Sequence, residues 1–196
     1  MTFCVGKCRV SVGVPFLAVV ALLLALDRSG AAQAGLACAA LHEAAHLAAM
    51  RFMGEAPREV RFTPFGIDIV RSREGRSYGR DALVSLAGPL ANLAAFSVCR
   101  MIPGEGAALC SAGNFLLFAL NALPIAPLDG GQALGALLRA RMEPEKAERI
   151  VGIVSFCILL PLAAAGFYVL LQSRWNFTLL FAACYLFALL LMKREW

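Results

Sequence analysis

The chain has 196 residues, 60% hydrophobic and 16% charged, with a formal net charge of +5 and a mean hydropathy of +0.74. That balance excludes an ordinary soluble domain and a disordered chain, and places the protein in a bilayer. The excess of positive charge comes without the aromatic and basic surface that reads bases, so no nucleic-acid partner is expected.

Charge-free apolar stretches of spanning length predict six transmembrane helices, near Val10–Leu26, Ala31–Met50, Ala82–Cys99, Ala107–Ala126, Ile150–Leu171 and Phe177–Met192. Lys7 and Arg9 precede the first, and seven arginines (Arg51, Arg58, Arg61, Arg71, Arg73, Arg76, Arg80) lie between the second and third. Arg139, Arg141, Lys146 and Arg149 lie between the fourth and fifth, Lys193 and Arg194 close the chain, and the opposite side holds only Arg28, Arg100 and Arg174. The positive-inside rule then puts both termini and the large loops in the cytosol, as a multi-pass protein of the cell membrane. Lys7 and Arg9 before an apolar run ending in Ala31-Ala32-Gln33-Ala34 also have the shape of a cleavable signal peptide. The run is about 17 residues, against 7–15 for a signal h-region, so a retained first span is expected.

The second span carries the only two histidines of the chain, in Leu41-His42-Glu43-Ala44-Ala45-His46. Positions i and i+4 of a helix share a face, so both imidazoles can hold one zinc ion while Glu43 reaches a water beside it. Such a string arises by chance in soluble sequences. Inside an apolar span, where ionisable groups are costly, it calls for a function. The plain alternative is two histidines satisfied by hydrogen bonds in a helix bundle. His46 stands five residues before Arg51, so at about 1.5 Å per residue a metal there lies within about 10 Å of the cytosolic boundary, where water can reach it.

Between the second and third spans, Val60, Phe62, Phe65, Ile67 and Ile69 are interspersed with Arg61, Asp68 and Arg71, with Pro64 and Gly66 interrupting. This predicts a short interfacial β-hairpin or edge strand able to pair with an extended substrate; the alternative is an amphipathic loop resting on headgroups. The arginines suit an acidic segment of a substrate or, more simply, anionic lipid.

The third span contains Ser85-Leu86-Ala87-Gly88-Pro89-Leu90-Ala91-Asn92-Leu93. Gly88 and Ala91 allow close helix approach, Pro89 loosens a turn, and Asn92 puts an amide inside the span. Alone, this cluster reads as helix packing with one interhelical hydrogen bond.

The fourth span ends in Asn121-Ala122-Leu123-Pro124-Ile125-Ala126-Pro127-Leu128-Asp129-Gly130-Gly131. A catalytic zinc takes three protein ligands and keeps one position for water. With no further histidine, Asp129 is the acid that stands out. Pro124 and Pro127 break the helix, and Gly130 with Gly131 permits a turn closed to bulkier residues. Irregular backbone at membrane depth is tolerated only inside protein or along a wet cavity, which points this segment into the active site. The alternative is a helix end at the interface with Asp129 in water.

A helix from Gly131 to about Ala140 and the stretch Glu143-Pro144-Glu145-Lys146-Ala147-Glu148-Arg149 read as a cytosolic connector. The last two spans hold no interior ionisable residue and suit packing, lateral gating or partner contact. The seven cysteines form no C-x-x-C pair and read as small apolar filler, although Cys99 and Cys110 flank one external loop and could pair.

Taken in order, the H-E-x-x-H span, the Gly-Pro-x-x-Asn span and the Asn-x-x-Pro…Leu-Asp-Gly-Gly break resemble the site-2 protease (peptidase M50) family of intramembrane zinc metalloproteases, over roughly residues 31–135. The resemblance implies an all-α polytopic peptidase domain over residues 1–196, with a short interfacial β-hairpin after the second span and a broken, re-entrant segment after the fourth. Its catalytic core would be 31–135, with a connector and two C-terminal spans at 136–196. One Zn2+ per chain would be held by His42, His46 and Asp129, with Glu43 as catalytic carboxylate and Asn92 as an accessory catalytic amide for the tetrahedral oxyanion. Asn121, Pro124 and Gly130 would form the active-site loop, with Gly88 and Pro89 packed nearby. The implied partners are a membrane-tethered protein substrate, the lipid bilayer, and inhibitory or activating membrane proteins. Nothing sets an oligomeric state.

The compact six-span form without a PDZ domain looks most like the group of the stage IV sporulation protease FB, which implies a sporulation pro-sigma factor as substrate. Members commonly carry a C-terminal CBS domain; with Trp196 four residues past the last span, none is expected here. Two competing readings are a membrane transporter or binding protein with a buried polar site, and a catalytically inactive relative. The first lacks a matching pair of broken helices in the two halves.

Overall fold

The structure is a computed structural model that describes residues 2–5, 8–63, 66–71, 77–173 and 177–192. It is mostly helical with one small sheet, and it divides into two compact units, Met1–Ala119 and Leu120–Trp196. Lys7, Pro64, Phe65, Arg73, Arg76, Arg174, Lys193 and Arg194, which enter the expectations above, lie outside the described residues.

In the first unit the chain runs β1 (Thr2–Val5), β2 (Cys8–Val12), α1 (Val14–Leu26), α2 (Ala31–Phe52), β3 (Pro57–Thr63), β4 (Gly66–Arg71), α3 (Tyr78–Cys99) and the greater part of α4 (Glu105–Asn121). The expected hairpin is present as β3 and β4, antiparallel with Val60 opposite Ile69 and Phe62 opposite Ile67. It is half of a larger sheet. The order is β1-β2-β3-β4, with β2 parallel to β3 in the register Arg9 to Glu59 through Val12 to Phe62. Parallel strands need a long crossover, and here α1 and α2 supply it.

Residues 10–12 are therefore strand and not, as expected, the start of the first span. The Gly13 amide continues the ladder to the Phe62 carbonyl at 3.2 Å. Pro15 then occupies the first helical turn, where its missing N–H costs nothing, and Phe16 packs on Phe62 with ring centroids 5.3 Å apart.

The turn from α1 to α2 is tied by Asp27. Its carboxylate accepts from the Ser29 hydroxyl at 2.9 Å, the Ser29 amide at 3.0 Å and the Ala32 amide at 2.8 Å, capping otherwise unpaired N–H groups of α2. The Ser29 hydroxyl, with the Ser29, Ala32 and Gln33 amides, holds this carboxyl below its ordinary 3.8. Folding thus lowers the pKa, so the stabilisation is present above that ordinary value and disappears as pH falls through the lower folded one. Asp27→Asn should lower Tm by a few degrees at neutral pH, with the difference from wild type closing on acidification; thermal melts across pH check it.

Helices α2 and α3 pack through matched stripes. On α2, Cys38, His42, His46 and Met50 are buried at four-residue spacing; on α3, Asp81, Ser85, Gly88 and Asn92 are buried. Asn92 meets the Cys38 end of α2 and Val84 meets His46, so the two helices run antiparallel.

The second unit holds the end of α4, an irregular segment, α5 (Asp129–Arg139), α6 (Pro144–Ser173) and α7 (Thr178–Met192). The break comes where the prolines predict it. After Asn121 the chain makes short bonds, Leu123 N–H to Leu120 O at 3.2 Å and Leu128 N–H to Ile125 O at 2.8 Å. The Ala126 amide donates to the Ser155 hydroxyl of α6 at 2.8 Å, and Ile125 is fully buried with Leu159, Leu186 and Leu190. An irregular backbone held by a hydroxyl and an apolar core is the arrangement a low-dielectric environment demands.

Gly130 and Gly131 serve this segment differently from the expectation. Both lie in the first turn of α5, which starts at Asp129, two residues earlier than predicted, and neither has positive φ. A Cβ on Gly130 would strike the Ala122 and Leu123 carbonyls, and one on Gly131 the Ile125 carbonyl. They are small so that the segment can lie against the helix, not so that the chain can turn.

Among the described residues, two helices are long and apolar enough to cross a membrane by length and composition, α3 and α6; α1 and α7 are apolar but shorter. The last long helix begins at Pro144, earlier than its charge-free stretch, because the connector residues from Glu145 to Arg149 are helical too.

Candidate metal centre

The alanine-rich sequence of α2 forms helix readily and leaves little bulk around His42 and His46. Both are buried, at 6% and 7% exposure. Their rings meet edge to face, and the two Nε2 atoms stand 3.1 Å apart.

The other ring nitrogens decide what those Nε2 atoms are. His46 Nδ1 lies 2.7 Å from the Val84 carbonyl, which can only accept, so this nitrogen carries the proton. His42 Nδ1 faces Asn92 Oδ1. The Asn92 amide hydrogens go to the Cys38 carbonyl at 3.3 Å and to Asn114 Oδ1 at 2.7 Å, which leaves its oxygen toward His42 and makes His42 Nδ1 a donor as well. As neutral imidazoles, both histidines then present an unprotonated Nε2 to the same point. At that distance the two Nε2 atoms can share a proton or a metal ion.

Gly88 makes room for this meeting. A Cβ there would fall 2.7 Å from His42 Nε2 and Cε1 and would collide with His46 Nε2. Pro89 follows it, buried; it has no N–H to return to the Ser85 carbonyl, which loosens the turn carrying Val84 and Gly88. At Gly88 the part of the neighbouring α2 that approaches closely is the pair of imidazole rings.

Glu43 follows His42 on α2 and is half-buried. In the second unit, Asn121 ends α4, Pro124 lies in the irregular segment, Asp129 opens α5 and Gly130 follows it, buried. Asn92, fully buried, makes the contacts of a residue that orients His42, with both its amide hydrogens given to protein oxygens and not to an oxyanion position.

The sequence reading missed Asn114 and Ser155. Each is a buried polar side chain in an otherwise apolar helix, the same signal that singled out Asn92.

A family model described as Peptidase family M50 matches residues 105–162. Among solved structures, the Site-2 Protease from Methanocaldococcus jannaschii is similar, with a TM-score of 0.65 and 18% sequence identity over 95% of this chain and 91% of that one. At that identity the likeness establishes a site-2 protease fold. No curated protein sequence matches the chain.

Proposed function

We propose that the protein is an intramembrane zinc metalloprotease that hydrolyses a peptide bond in or near the transmembrane segment of a membrane-tethered protein. The observation that carries this is the pair of Nε2 atoms, 3.1 Å apart, on rings whose Nδ1 atoms face acceptors, Asn92 Oδ1 and the Val84 carbonyl. Zinc binds two imidazoles and a carboxylate in this class of site, and the bare Cα of Gly88 leaves the rings in place to bind it. Asp129 is the third ligand in this reading. That assignment is supported by the family match, which spans the broken segment and α5.

Zinc, when bound, supplies a Lewis acid that polarises the scissile carbonyl and acidifies a water. Glu43 takes the proton of the attacking water and delivers it to the departing amide nitrogen. Asn92 and the Val84 carbonyl hold both imidazoles in the neutral, metal-binding tautomer throughout.

A helical substrate hides its backbone, so it must be opened before it is cut. Strand β3 is paired on both sides, by β2 and β4, which leaves β1 and β4 as the outer strands. An extended substrate segment added along β4 would present its backbone as a strand. Six spans, α1 to α4 with α6 and α7, and cytosolic termini fit the distribution of lysine and arginine. The substrate is then a tethered regulator; sporulation pro-sigma factors are candidates through the resemblance alone.

Zinc content tests the reading. Purified wild type should carry about one zinc per chain by atomic absorption, and Asp129→Ala should lose most of it. A wild-type protein without zinc, unchanged by Asp129→Ala, would favour a transporter or binding protein instead.

A further inference from the structure

We infer that Asn114 is a positioning residue for the metal centre, acting through Asn92 to fix the tautomer of His42; the inference rests on the zinc protease reading. Asn114 sits on α4, 3% exposed, and its Nδ2 donates to the carbonyl of Cys110, one turn earlier, at 2.8 Å. A backbone carbonyl has no hydrogen to give, so this bond sets which end of the Asn114 amide is which. Its Oδ1 is left to accept from Asn92 Nδ2 at 2.7 Å. Asn92 in turn offers Oδ1 to His42 Nδ1.

The chain of bonds has one consistent direction. If Asn92 were flipped, its NH2 would face His42 Nδ1, the ring proton would move to Nε2, and that nitrogen could no longer take a metal. The flip would also oppose the Asn92 oxygen to Asn114 Oδ1, and turning Asn114 to relieve this would oppose its oxygen to the Cys110 carbonyl. The Cys38 carbonyl disfavours the flip as well, through the longer of the two amide bonds, at 3.3 Å against 2.7 Å. Buried amide networks of this kind have large effects because no water can replace a lost partner.

Three variants separate the role from simple packing. Asn114→Ser can keep the bond to the Cys110 carbonyl but is too short to reach Asn92; Asn114→Leu loses both bonds; Asn114→Asp, neutral in this buried place, keeps a hydrogen for the Cys110 carbonyl and an oxygen for the Asn92 amide. Chelator competition on purified protein without a histidine tag should show zinc bound about tenfold more weakly in the Ser and Leu variants, and within about threefold of wild type in Asp. With only two histidines in the chain, 15N spectra of the zinc-free rings are simple to read. Wild type should show Nδ1-protonated His42, and the Ser variant a mixture of tautomers.

Ser and Leu variants with wild-type zinc affinity and an unchanged ring spectrum would overturn the role, as would an Asp variant as weak as Leu. A wild type that binds no zinc yet shows the Nδ1–H tautomer, lost in the Ser variant, would overturn the protease reading and leave the tautomer control standing.

Discussion

Glu43→Gln should bind zinc as wild type does and lose cleavage by roughly 10²–10⁴-fold, the usual contribution of a positioned general base. The substitution exchanges one carboxylate oxygen for an amide nitrogen, with no change in length. Glutamine is as good a helix former as glutamate, so α2 should keep the ring contacts of His42 and His46. What disappears is the carboxylate assigned to hold the proton in transit. Co-expression with membrane-tethered regulators carrying a tag on each side of the bilayer reads the outcome as a fragment made by wild type and not by the variant. Equal cleavage by the two would remove Glu43 from the chemistry. A zinc-loaded wild type that cleaves no tethered substrate in a broad panel would point to the inactive relative.

Signals carried by residues close together in sequence were legible, and the contacts made between distant residues were not. His42, Glu43 and His46 declare themselves because i, i+4 spacing and burial cost are local arguments. The break after Asn121 was equally legible, since a proline removes a helix bond whatever surrounds it. Strand β2 was hidden because its residues run without interruption into the apolar α1, and the partner that makes it a strand begins at Glu59, about fifty residues from Arg9. Periodicity over so short an apolar run does not separate strand from helix. At two glycines the need for a small residue was legible and its cause was not. Gly130 and Gly131 look like turn residues in sequence, and only the folded chain shows the carbonyls of residues 122–125 lying where their Cβ atoms would be. Asn114 was passed over because it stands apart from any proline or glycine cluster; burial in an apolar helix was the signal available.

Gly88→Ala is expected to abolish the metal centre with a single added methyl group. A Cβ at this position would lie 2.7 Å from two atoms of the His42 ring and closer still to His46 Nε2, well inside contact distance. Side-chain ends can often swing aside, but these two are tied behind, His42 to Asn92 and His46 to the Val84 carbonyl. Relief therefore requires either giving up one of those bonds or parting α2 from α3. Breaking a bond would free a tautomer and cost zinc affinity at least about tenfold, and parting the helices would cost about 1–3 kcal/mol of the kind seen when cores are overpacked. Either way the zinc should go. Gly113→Ala is the matched control in the same unit: its Cβ would meet Cys38 Sγ at 3.2 Å, a tight contact with a thiol and not with the rings. That variant should lose some thermal stability and keep its zinc, whereas a generic need for small residues between helices would make the two variants alike. Chelator competition and thermal melts on both proteins decide the matter, and a Gly88→Ala protein with wild-type zinc affinity would show that the two imidazoles do not converge over this turn of α3.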